Sequence, residues 1–257
     1  MNTAMGIPVQ AARPGRRALV ATALILGLAG HGCATFVRRP LPTPMPSTHG
    51  ATPVPGRGVG LGVELGDGLG GQELLRKELL SGHLLVGLAD RVELGVAVYG
   101  GHEDRDPAGT LFSGKVRLGA PLGPRTSTAL RVGLATVSRS DGEAQNESLT
   151  ALDLALPVEF LLGTSAGSDH VSLYAGPRLV HEHYRDDLRP IDTFDGWLPG
   201  GLGGVHLQVG HFHLFGEGTM AWRPATTRQG VRFEGGAIFL PSLGIVVHLG
   251  SPFRWGP

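Results

Sequence analysis

Charged residues occupy alternate positions in stretches whose other positions are Val, Leu, Ile or Phe. Lys115 and Arg117 fall in one such stretch, Arg131 in the next, and Asp153 with Glu159 in the one after. On neighbouring strands these five side chains project from one face, where they can pair as a charge plug or line a narrow path for an ion or small polar solute. The plug is the expected arrangement, because an unpaired charge away from water is costly. His181-Glu182-His183 places two imidazoles on one side of a strand, a spacing that suits Zn²⁺ or Cu²⁺ when further ligands arrive from elsewhere. Alone, the pair reads as a solvated strand end, and no cofactor is expected. His206, His211 and His213 surround one turn, but His211 lies in the turn and the other two are diagonal, so they are not expected to form a site. Gly-x-Ser-x-Gly, phosphate-loop and His-Glu-x-x-His patterns are absent, and no catalytic residue is expected.

The elements that must position these side chains follow from the period of the apolar residues. From Gly58 onward it is two, the signature of strands with unlike faces. Val59, Leu61, Val63 and Leu65 begin the series; Leu84, Val86 and Leu88 continue it, with Val92, Leu94, Val96 and Val98 after an Ala89-Asp90-Arg91 turn. If Leu88 opposes Val92, then Val86 meets Leu94 and Leu84 meets Val96. The same alternation runs through Phe112 to Ala120, Leu130 to Leu134, Leu152 to Phe160, Val171 to Leu179, Val205 to Val209 with Phe212 and Leu214, and Val231 to Leu249. About ten strands are predicted, in an all-β, single antiparallel up-and-down barrel over residues 58-250.

Connections after even-numbered strands are short or small, and those after odd-numbered strands are longer and polar. That alternation suits a transmembrane barrel, as does an even strand count, which lets the first and last strands pair and removes the open edge. Glycines such as Gly60, Gly62, Gly95, Gly133 and Gly244 on the charged face suit a narrow lumen crossed by long side chains. The alternative is a soluble periplasmic barrel that turns its apolar faces inward around an apolar ligand.

Ahead of the strands, residues 1-32 contain no acidic residue, carry Arg13, Arg16 and Arg17, and run from Ala18 to Ala29 almost without a polar side chain. This is the basic and apolar layout of a secretory signal. Gly30-His31-Gly32-Cys33 follows, and Cys33 is the only cysteine. Residues 33-57 hold six prolines and are expected to form a semi-rigid spacer, and residues 251-257 form a C-terminal tail. Removing the signal turns the balanced 22 basic and 22 acidic residues slightly acidic, with no clustered basic surface for nucleic acid.

Gly30-His31-Gly32-Cys33 resembles a bacterial lipobox, with Gly30 where that family usually has Leu; the resemblance implies acylation at Cys33. The runs Gly87 to Gly95 and Leu243 to Gly250 resemble hairpins of small proteobacterial outer-membrane β-barrel proteins. Together these imply a lipid-anchored protein of the bacterial outer membrane with a structural, adhesive or narrow-channel role. Outer-membrane lipid, the barrel insertion machinery and the lipoprotein sorting machinery would be its partners. Such barrels commonly end on an aromatic residue, whereas here Phe253 and Trp255 stand short of the terminus. A remoter resemblance is to the omptins, ten-stranded surface proteases with an Asp pair and an Asp-His pair at the rim. Asp104-Arg105-Asp106 is similar to the first; His181-Glu182-His183 with Asp186 and Asp187 has His181 where that family has Asp.

Overall fold

The computed structural model describes residues 50–54, 58–67, 78–100, 108–140, 146–164, 169–186, 194–228, 231–233 and 236–249. The signal stretch, Cys33, most of the proline-rich segment, Asp104 to Asp106, Asp187 and the tail from Gly250 lie outside the described residues. The chain divides into Met1–Thr35 and Phe36–Pro257, and every described residue belongs to the second unit.

The strands are β1 (Val59–Asp67), β2 (Glu78–Ala89), β3 (Val92–Gly100), β4 (Ala108–Gly119), β5 (Thr126–Ser140), β6 (Asn146–Ala155), β7 (Val158–Thr164), β8 (His170–Asp186), β9 (Phe194–Val209), β10 (Phe212–Arg223), β11 (Thr226–Arg228), β12 (Val231–Phe233) and β13 (Gly236–Leu249). Eleven of them form one antiparallel sheet. Because β6 and β7 share one place between β5 and β8, the sheet is a closed barrel of ten strand positions. Closure is made by β1 and β13, with Val59 opposite Leu249 and Leu65 opposite Leu243. No edge of the barrel is left unpaired along these registers.

The predicted hairpin register holds for Val86 with Leu94 and Leu84 with Val96. A β-bulge after Gly87 then shifts the pairing, so Ala89 rather than Leu88 meets Val92. Val209 meets Phe212 across the Gly210-His211 turn, where Gly210 takes the positive φ of 57° that a tight hairpin needs. Two expected strands are interrupted. Pro157 lacks an N–H, so the strand expected from Leu152 to Phe160 breaks into β6 and β7, and Pro157 contributes its carbonyl to Ala129 N at 3.2 Å. Val231 and Phe233 leave the barrel: β12 pairs with β11 as a separate two-stranded hairpin, and only the stretch from Gly236 closes the sheet.

The two faces are inverted relative to a water-soluble barrel. Outward-pointing Leu61, Val63, Leu94, Val98, Phe112, Leu134 and Leu214 are 41% exposed or more, whereas Glu64, Glu93, Lys115, Arg131, Asp153, Glu159, Arg178 and Glu217 are 4% exposed or less. The alternative in which the apolar faces line a ligand cavity therefore does not hold, because those faces point away from the lumen. Inward glycines make room for large lumen groups: a Cβ on Gly244 would lie 2.3 Å from the Phe215 ring, and one on Gly204 would lie 2.5 Å from Tyr174.

Candidate functional site: the filled lumen

Along its axis the lumen changes chemistry. Toward the end where the long connections leave, Ala97, Tyr99, Leu111, Ala135, Val137, Leu149, Ala151, Val180, Tyr184, Leu198, Ala221 and Leu240 pack as one apolar cluster. Alanines on the strands leave space for the two tyrosine rings, and Tyr99 Oη donates to the carbonyl of Thr136 at 3.0 Å.

Below this cluster runs a belt of charges. Asp153 accepts from Arg131 Nη1 at 2.9 Å, and Arg178 grips it bidentately through Nε and Nη2, each at 2.8 Å. Arg178 Nη1 continues to Glu217 Oε1 at 3.2 Å and to Thr219 Oγ1 at 2.8 Å, while Tyr174 Oη donates to Glu217 Oε2 at 3.1 Å. Two cations and two carboxylates thus alternate across the barrel, an arrangement that offsets the desolvation of each member. Lys115 lies directly opposite both Glu93 and Arg131 in the sheet, and it turns to Glu93 Oε1 at 3.3 Å. His83 Nε2 lies 3.0 Å from Glu64 Oε2.

The third layer, at the short-turn end, is built around Glu159 and a run of histidines. Glu159 Oε1 accepts from Ser172 Oγ at 2.5 Å and lies 3.3 Å from His206 Nδ1. His206 Nε2 is 2.7 Å from His213 Nδ1, and ring contacts extend the run to His170 on one side and His248 on the other.

Into this layer comes a segment of the chain itself. Ala51 N, Thr52 N and Thr52 Oγ1 all donate to Glu159 Oε2, at 2.9, 3.0 and 2.8 Å, and Val54 N donates to Glu93 Oε2 at 2.7 Å. Ala51 and Val54 are buried, Val54 against Leu85, Phe215 and Val246. Pro53 has no N–H to satisfy, so the three amide donors of residues 51–54 all end on carboxylate oxygens. Residues 50–54 of the proline-rich segment are thus a lumen component, whereas the sequence alone predicts a spacer outside the folded body.

Of the five residues expected to form one network, Arg131 and Asp153 are in direct contact. Lys115 belongs to the Glu93 pair, Glu159 to the histidine layer, and Arg117 stands half-buried beside the β4 bulge at Gly119. Arg178, Glu217, Tyr174 and Thr219, which complete the belt, lie on the polar parity of β8 and β10, and that parity is the signal that marks them.

His181 and His183 point outward at the other end, with Asp195 of β9 between them at 3.2 and 3.3 Å and Trp197 edge-on to His181. All three polar side chains are a third exposed or more. The Asp pair needed for an omptin-like rim lies outside the described residues.

No known family model and no curated protein matches the sequence. Among solved structures, the N-terminal β-barrel domain of Pseudomonas aeruginosa OprF is 12% identical, with a TM-score of 0.34 over 76% of this chain and 98% of that one. The translocator domain of the autotransporter NalP from Neisseria meningitidis is 10% identical, with a TM-score of 0.44 over 76% of this chain and 88% of that one.

Proposed function

We propose that this is a lipid-anchored protein of the bacterial outer membrane, a closed barrel that displays its long connections and has a structural or adhesive role. One observation carries the reading: a belt of exposed Leu, Val and Phe surrounds a lumen of buried charges. Water does not favour that arrangement, whereas a hydrocarbon layer accepts the apolar belt and the closed ladder leaves it no unpaired backbone. The narrow-channel variant is disfavoured by the contents of the lumen. An apolar cluster, an Arg–Asp–Arg–Glu belt and residues 50–54 fill it in succession.

Cys33 supplies the lipid in this reading. The segment between Cys33 and Gly50 then connects an acyl chain to residues 50–54, which lie in the lumen against Glu159 and Glu93, and the short-turn end faces the periplasm. The test has three arms. Unheated protein in detergent migrates faster than boiled protein if the barrel is a membrane barrel; labelled palmitate is incorporated and lost in Cys33→Ala; planar bilayers show no steady conductance. A soluble protein released without detergent overturns the membrane placement, and label retained in Cys33→Ala overturns the anchor. Stable open channels overturn the closed lumen.

A further inference from the structure

We propose that Glu159, His170 and His206 form a binding site for a divalent transition metal at the short-turn end of the lumen. Each of the three residues can offer one ligand atom, and these atoms lie within 4.8 Å of one another. A borderline ion at about 2.1 Å from each ligand holds them about 3.4 Å apart, so a small inward adjustment of the side chains completes the set. Two imidazoles and one carboxylate select zinc, nickel, cobalt or copper over magnesium and calcium, which take oxygen ligands.

The surroundings supply what such a site requires beyond its ligands. His206 presents Nδ1 toward Glu159 Oε1 at 3.3 Å, while its other nitrogen, Nε2, lies 2.7 Å from His213 Nδ1. With a metal on His206 Nδ1, the ring carries its proton on Nε2 and donates it to His213. That is the outer-shell hydrogen bond that orients a ligating histidine. Glu159 is fixed in the same way: Oε2 accepts three hydrogen bonds from residues 51 and 52, and Ser172 Oγ donates to Oε1. Glu159 therefore keeps its orientation without the metal, with Oε1 the oxygen nearer His206. All three ligands are at most 3% exposed, which excludes competing bulk water. His170 is the first residue of β8 and pairs with Thr164 at the end of β7 and with Gln208 near the end of β9, so the site lies at the barrel rim and not in mid-lumen.

The proposal is independent of the acyl anchor and of the membrane placement, since it needs only the folded barrel. It is tested on untagged full-length protein in detergent, treated with EDTA, desalted, and titrated with Zn²⁺ and separately with Co²⁺. One equivalent of Zn²⁺ is expected to remain through gel filtration, with Mg²⁺ and Ca²⁺ unable to displace it. His206→Ala and His170→Ala are each expected to weaken binding at least about tenfold, and His213→Ala by about tenfold through the lost outer-shell bond. The double variant His181→Ala/His183→Ala keeps the equivalent, which separates this site from the exposed histidine pair. Heat-modifiable migration shows which variants are folded. The wild-type Co²⁺ spectrum requires no variant: visible bands stronger than those of aqueous cobalt are expected, and a spectrum unchanged from aqueous cobalt overturns the site. Retention of zinc by both folded His170→Ala and His206→Ala proteins, or its loss in His181→Ala/His183→Ala alone, overturns it as well.

Discussion

The two ends of the lumen are filled by different means. Toward the long connections the interior is closed by apolar side chains from the strands themselves, with Leu111, Val180 and Leu198 buried among alanines. Toward the short turns it is closed by carboxylates, imidazoles and a piece of the amino-terminal chain held by Glu159 and Glu93. The first is a closure by packing, insensitive to charge and dependent on volume; the second is a closure by directed hydrogen bonds, and each bond can be withdrawn separately. The Asp153 belt lies between them and holds β5, β6, β8 and β10 together at mid-height. Because the polar closure includes a segment outside the sheet, release of that segment is expected to require no strand to unpair.

The largest effect is expected at the boundary between the two halves. Asp153→Ala leaves Arg131 and Arg178 buried without their shared carboxylate and is expected to cost about 3–5 kcal/mol of barrel stability. Urea unfolding in detergent, followed by the loss of the faster-migrating form, measures it. A cost near zero would mean that the belt is hydrated and that the two halves are not separated by it.

In the apolar half, Leu198→Ala should cost about 3 kcal/mol, because a fully buried leucine leaves a cavity that its strand neighbours cannot fill by collapse. The same variant is expected to leave residues 50–54 in place. If it exposes them to protease, the two closures are coupled and the contrast drawn between them fails.

How far this contrast can be read from sequence depends on which coordinate is asked for. Alternation specifies which side chains share a face, so the grouping of Lys115, Asp153, Glu159 and His206 on one face and of Val92, Leu94 and Val96 on the other is legible, whereas which face turns inward is set by the surroundings and is read only from burial. The height at which inward side chains meet is set by strand stagger and bulges, which alternation does not encode. Lys115 and Glu93 are direct cross-strand partners, but Arg131 opposes Ala155 and reaches Asp153 only along a diagonal. The same geometry unites His206 with His213: each is paired with a different residue, Phe215 and Gln208, yet their rings touch across the diagonal. A diagonal relation therefore does not keep two long side chains apart inside a curved sheet. The insertion of residues 50–54 left a fainter trace, a stretch with few amide donors and two apolar side chains, Ala51 and Val54, among its prolines.

Smaller effects probe the polar closure alone. Glu159→Gln keeps the shape of the side chain but replaces charge-assisted bonds by neutral ones, and a loss of about 1–2 kcal/mol is expected. Limited proteolysis near residue 52 should then accelerate while the rate of global unfolding in urea changes little. Equal acceleration of both would show that residues 50–54 leave only when the whole barrel opens.

Thr52→Ala is the mildest probe, because it deletes one donor, the hydroxyl that reaches Glu159 Oε2 at 2.8 Å, and retains both backbone donors from Ala51 and Thr52. A cost of about 1 kcal/mol is expected for one hydrogen bond to a charged acceptor whose other partners persist. In the Glu159→Gln background the same substitution should cost less, since its partner is already weakened, and the difference between the two costs measures the Thr52–Glu159 coupling directly. Additive costs would show that Thr52 contributes through its packing and not through the hydroxyl, and the short-turn closure would then resemble the apolar end more than its chemistry implies.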